Sequence, residues 1–248
     1  MALNSMGGRW KQGKWIPEKR QEALNRMLGT EESLAQWDHV TTIEEACQLL
    51  QHRFPHIDTK ELITSNFEAV PMAAAMKQFE ILAAKYPQIA DGITKFGTDV
   101  WEMDGGKMGI AKTLSEGKGI VFNTKLFQKN PKIQNGADHL RRLNESIERS
   151  YKSGKFVYRT LQEIIIHEYG HTLHRQLISQ HNKTSQEQHA IDRLGEQVYQ
   201  AFKITHPTSN LAQSPSEAIA DLFTLLETNR HSEMTTQLSQ IIASLTRG

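Results

Sequence analysis

The sequence predicts an α+β chain in which a small, mostly antiparallel sheet stands between two helical regions. Three observations predict it. Apolar residues recur at helical spacing in the first 90 residues. After residue 92 the texture changes to short strand-like runs broken by glycine. From residue 160 onward every regular stretch returns to the helical period. At 248 residues the chain is long enough for one large domain or two small ones.

Taken in order, residues 17–52 read as helices. "TTIEEACQLLQHRF" opens with Thr41 or Thr42 as a cap, has Glu44 or Glu45 three residues on, and then repeats Ile43, Ala46, Leu49 and Leu50 on one face. Pro55 breaks that pattern. A second helix runs from about Pro71 to Tyr86 and stops at Pro87. "ITKFGTDVWEM", "KMGIAKTL" and "GKGIVFNTKLF" follow as candidate strands, with turns at the Gly105–Gly106 pair and at "SEGKG". Helices are expected over about 160–179, 186–203, 215–229 and 231–246, with a polar loop at 179–188. The change of texture suggests a division into a helical region at 1–90 and a second unit at 91–248.

Net charge is +1, so the molecule as a whole has no general attraction for nucleic acid or membrane. Residues 1–27 differ, with Arg9, Lys11, Lys14, Lys19, Arg20 and Arg26 against Glu18 and Glu22. That reads as a solvated basic arm. Cys47 is the single cysteine, which excludes an internal disulfide and a cysteine-based metal site and fits a reducing compartment. No signal-like N-terminus and no apolar run near the ~20 residues of a membrane helix is present. A location in the cytoplasm is expected.

The chemistry concentrates in "IIIHEYGHTLH", residues 164–174. At 100° per residue, His167 and His171 project from one helix face a turn apart, close enough to bind one metal ion. Glu168 lies aside on the same rim, placed to act as a general base without occupying the metal. Ile164, Ile165, Ile166 and Leu173 are expected to bury the other sides, and Gly170 to admit a second backbone. His174 shares the face but sits two turns from His167, so it is expected at a pocket rim or on the surface. A third histidine further along is excluded, because Leu177 stands where it would fall.

A third ligand is offered by "SPSEAIADLF". Ser214 or Ser216 caps this helix, Glu217 opens it, and Asp221 follows one helical repeat later. Two carboxylates on an inward face are costly unless a cation offsets them. Glu217 as ligand, with Asp221 accepting the free N–H of a ligand imidazole, removes that cost. The competing reading is a surface helix with an acid near its N-terminus, favoured by the dipole.

The pair "LQEIIIHEYGHTL" and "SPSEAIADLF", preceded by "GKGIVFN", resembles the gluzincin zinc metallopeptidases, in particular the zincin domains like that of anthrax lethal factor and related domains of phage head-morphogenesis proteins and polymorphic toxins. The resemblance covers roughly residues 95–230. It implies a zincin-like fold, one Zn²⁺ per chain held by His167, His171 and Glu217, Glu168 as base, and Asp221 behind a ligand histidine, where glutamate is more usual. It implies hydrolysis of a protein or peptide substrate, and a cytoplasmic or phage-associated setting. The family's oxyanion-stabilising tyrosine, seven residues before the ligand glutamate, corresponds to Asn210; Tyr199, His206 and His231 are the substitutes in view. The substrate is expected to lie along an edge strand at Gly119, Ile120, Val121, Phe122 and Asn123. The alternative function is a zincin-fold binding or structural module without catalysis.

Overall fold

A computed structural model describes residues 8–11, 14–17, 28–100, 110–114, 118–179, 185–205 and 214–245. The chain is mixed α/β, mostly helical, with one three-stranded sheet. The described elements run β1 (Gly8–Lys11), β2 (Lys14–Pro17), α1 (Glu31–Ala35), a 3₁₀ turn (Gln36–His39), α2 (Ile43–Arg53), α3 (Lys60–Ile63), α4 (Ala69–Lys85) and α5 (Pro87–Ala90). They continue with β3 (Lys95–Asp99), β4 (Ala111–Thr113), β5 (Gly119–Asn123), α6 (Thr124–Phe127), α7 (Gly136–Lys152), α8 (Leu161–Ser179), α9 (Ser185–Thr205), α10 (Pro215–Glu227) and α11 (Glu233–Leu245). No helix among the described residues is long and apolar enough to cross a membrane.

The capping signal of α2 is realised at Thr42. Its side chain accepts from the Glu45 N–H, while Glu45 reaches back to the Thr42 backbone. Such a cap contributes about 1 kcal/mol. Ile43, Ala46, Cys47 and Leu50 form the buried stripe of this helix. An ionic knot not apparent from the sequence ties the first helices together. Arg53 and Glu80 are both buried, with Nη1 and Oε1 3.0 Å apart. Trp37 Nε1 donates to Glu80 Oε2 at 2.7 Å, and the Gly29 N–H donates to Oε1 at 3.0 Å. Satisfied on several sides, the pair is tolerated; stripped of one partner it would be strongly destabilising.

The division expected at residue 90 runs through one continuous hydrophobic core, which extends from Trp37 to Ile242. Helix α4 packs directly against α8 and α7. An aromatic series crosses this core from Phe54 to Phe79 and Phe96, and from Phe79 to Tyr169 and Phe223, with ring centroids 5.0–6.3 Å apart. The N-terminal helices thus share buried contacts with the sheet and with α7 and α8.

Two expectations for the sheet are corrected. Its order is β3-β5-β4, with β3 parallel to β5 and only β4 antiparallel to it. The chain passes from β3 to the far side of the sheet, forms β4, and returns by a hairpin that inserts β5 in the middle. Residues 119–123 are accordingly a central strand, buried at all five positions, and not an edge open to a substrate. The unbroken apolar run Ile120-Val121-Phe122 belongs to a strand covered on both faces. Among the described residues β3 and β4 are the outer strands; β3 is bridged at Lys95 by Asp58, and β4 has no second neighbour. Residues 124–127, read as a continuation of that strand, form the short helix α6, capped by Asn123.

Helix α8 was expected at 160–179 and spans Leu161–Ser179. Ile164, Ile165, Ile166 and Leu173 are buried as predicted, and Tyr169 is buried with them. The Tyr169 hydroxyl donates to the Tyr86 carbonyl at 2.8 Å, anchoring α8 to the end of α4. Gly170 is the crossing point with α10: a Cβ there would lie 2.9 Å from Ala220 Cα. Because Gly170 lies between His167 and His171, and Ala220 between Glu217 and Asp221, this crossing brings the two polar faces together.

Candidate metal centre

The N-terminus of α10 sets the third donor. Ser214 is the cap; its side chain accepts from the Glu217 N–H, and Pro215 occupies the first turn. Glu217 is thereby held in the first turn, opposite the histidine face of α8. His167 Nε2 lies 3.3 Å from Glu217 Oε2, and His171 Nε2 lies 3.3 Å from Glu217 Oε1. One ligating atom from each of the three residues falls within 4.8 Å of the others. Donors about 2.0–2.1 Å from a tetrahedral ion stand roughly 3.3 Å apart, so the three residues are near enough that they could hold one ion. Two imidazoles and one carboxylate are also a donor set zinc accepts, with a fourth position left for water or substrate.

Each histidine has a partner behind it. His167 Nδ1 lies 3.0 Å from Asp221 Oδ1, within hydrogen-bonding distance although the approach is off the ring N–H axis. His171 Nδ1 lies 3.3 Å from Ser216 Oγ, and the same oxygen lies 3.3 Å from His174 Nδ1. With Nε2 of His171 given to a metal, its Nδ1 carries the proton and donates to Ser216; the serine proton then serves His174. His174 suits that role because burial and then the neighbouring His171 push its pKa down to about 4. It is buried between helices rather than at a rim or on the surface, as the sequence had suggested.

The electrostatics favour a cation. Burial opposes charge on His167, yet Asp221 and Glu217 beside it hold its pKa well above the usual histidine value. Burial would raise Glu217, but its bonds to His167 and His171 bring it well below the ordinary carboxylate range. A buried imidazole among Asp221, Glu217 and Glu168 is a site whose negative charge a proton on His167 or a divalent ion could offset.

Glu168 is buried at the rim. Thr113 Oγ1, at the end of the outer strand β4, lies 2.8 Å from both the Glu168 carbonyl and its Oε2. A cavity of about 860 Å³ opens over this group. Its floor is α8, one wall is Ile110–Thr113 and the other is a single face of α7 (His139, Arg142, Leu143, Ser146, Ile147, Ser150).

Tyr158, which the sequence reading passed over, lines the same cavity. Its ring meets His167 edge-on, with centroids 5.3 Å apart, and stacks on Phe156 at 4.7 Å. Burial, followed by the charges of Asp221, Glu168 and Glu217, raises its pKa well above that of ordinary tyrosine, which keeps the hydroxyl protonated as a donor. The backbone on either side is pinned. Arg230 donates to the Val157 carbonyl at 2.6 Å and to Glu163 Oε2 at 2.8 Å, and the Arg159 N–H donates to the same Oε2 at 2.8 Å. An aromatic pair immediately ahead of the histidine helix was the available signal. Of the substitutes considered earlier, Tyr199 packs on the core under Lys203 and His231 is exposed beyond α10; neither lines the cavity. His206 and Asn210 lie outside the described residues.

No protein-family model matches the chain, and no curated protein or solved structure matches it.

Proposed function

We propose that the chain is a zinc-dependent metallopeptidase of the zincin type. The observation that carries this reading is the convergence of His167, His171 and Glu217 with Glu168 buried beside them and a cavity above. His167, His171 and Glu217 would hold the ion. Zinc, when bound, supplies Lewis-acid polarisation of a carbonyl and lowers the pKa of water toward about 7. Glu168 accepts the proton of the attacking water and passes it to the leaving amine. Thr113 orients that carboxylate, and the substrate backbone pairs with the outer edge of β4, which ends at Thr113. The Tyr158 hydroxyl donates to the substrate's developing oxyanion.

A structural metal site that only ties helices together has no use for Glu168, and this favours catalysis over the binding-module alternative. Replacement Glu168→Gln is the direct test. Cleavage of a denatured protein substrate should fall by about 10²–10⁴-fold while one zinc per chain is retained. Undiminished cleavage by the zinc-loaded variant would reject the mechanism.

A further inference from the structure

The whole chain is balanced, with 29 Lys and Arg against 28 Asp and Glu. Its cavity is not. Among the described residues, Lys112, Lys125, Arg142, Lys155 and Arg175 line it, against Glu168 and Glu217. Both of those carboxylates belong to the metal end, where a divalent ion would offset them. Lys112 also holds Asp99 at 2.6 Å, and Arg142 holds Asp138 through Nε at 2.9 Å, but neither aspartate is part of the lining. The arrangement follows from the sequence: Arg142 sits on the α7 face that forms the wall, Lys155 just beyond the end of that helix, and Lys125 on α6 beneath it. The same wall carries a second polar feature. His139 is buried, and its Nε2 lies 2.8 Å from the Leu126 carbonyl. With that nitrogen donating, Nδ1 is a lone-pair acceptor enclosed by protein rather than open to the cavity. The cations of the lining suit a ligand that brings carboxylate groups.

We infer that the cavity selects anionic peptides, and that Arg142 and Lys155 hold a substrate carboxylate at the α7 end, away from the metal ligands. This rests on the metallopeptidase reading, since it names the substrate class of the same site. The carboxylate comes from an Asp or Glu side chain or from a free C-terminus. An unpaired substrate carboxylate entering a partly enclosed cationic cavity is drawn in, whereas a lysine-rich peptide is repelled. The preference weakens as salt is added, because the rim is open to solvent.

The test uses the full chain, zinc-loaded, carrying Glu168→Gln so that peptides bind without turnover. Fluorescent peptides of matched length are compared by anisotropy: Asp/Glu-rich, Asn/Gln-rich and Lys-rich, each as free acid and as C-terminal amide. The acidic peptides should bind about tenfold tighter than the neutral ones, with the free-acid and amide arms showing which carboxylate is read. The pair Arg142→Glu and Lys155→Glu should reverse the order in favour of lysine-rich peptides; Arg142→Gln with Lys155→Gln, a milder change, should abolish the preference while leaving the fold in place. Equal binding of acidic and neutral peptides, an unchanged preference in the glutamine pair, or tighter binding of a short oligonucleotide would each overturn the inference. Cleavage by the wild type without acidic preference would sink this inference alone. Selective binding by the Glu168→Gln chain with no cleavage by the wild type would sink the metallopeptidase reading alone.

Discussion

Ser216 shows how much of the centre depends on a single small side chain. Its hydroxyl lies 3.3 Å from both His171 Nδ1 and His174 Nδ1. Removing it leaves the Nδ1 proton of His171 without that acceptor and no longer fixes which nitrogen faces the metal. Groups behind metal ligands typically change affinity by about 10–100-fold. Ser216→Ala should weaken zinc binding to that extent in competition with a chromogenic chelator, with the far-ultraviolet circular dichroism unchanged. An unaltered zinc affinity would show that the serine takes no part. At this scale the sequence was informative where helical geometry alone decides position, as for His167, His171, Glu168 and the pairing of Glu217 with Asp221. It was silent on Tyr158, offered Ser216 only as a possible cap and put His174 at a rim or on the surface, because their positions depend on which helix crosses which.

Helices were the most legible elements, because their apolar period and caps are local. Thr42 with Glu45, and Ser214 with Pro215 and Glu217, mark the starts of α2 and α10 in residues that can be read off the chain. Helix α7 escaped notice although His139, Leu143 and Ile147 fall on one face, because its buried stripe is narrow and charged residues surround it. Strand order was not legible either. Whether Gly119–Asn123 lies at the centre or edge depends on where β4 returns, and no local signal states that. The α8–α10 crossing gives a sharper test of element packing. Gly170→Ala would press a methyl onto the Ala220 backbone, so the helices must part. The expected cost is about 1–3 kcal/mol in unfolding free energy by denaturant titration, together with weaker zinc binding as Glu217 draws back. A variant as stable and as tight in zinc binding as the wild type would mean that the helices are not in contact there.

For the molecule as a whole, one core from Trp37 to Ile242 implies a single cooperative unfolding transition with a definite pH dependence. Cys47 lies fully buried, and burial pushes its pKa up to about 11. Its unfolded value is near 8.5, so the folded state favours the neutral thiol. That contribution is complete below about pH 8.5 and is lost as pH rises toward 11, amounting to about 3 kcal/mol. The difference in stability between wild type and Cys47→Ala should therefore shrink across that window, and the native thiol should resist iodoacetamide at pH 8. Rapid alkylation of the folded protein would contradict the burial. The proposed function, in turn, rests on the whole molecule presenting three donors to one ion. Zinc content by elemental mass spectrometry of the purified full chain, alongside His167→Ala and Glu217→Ala, measures this most directly. The expected result is one zinc per chain in the wild type and under a tenth of that in either variant; no zinc in the wild type, or zinc undiminished in both variants, would contradict it.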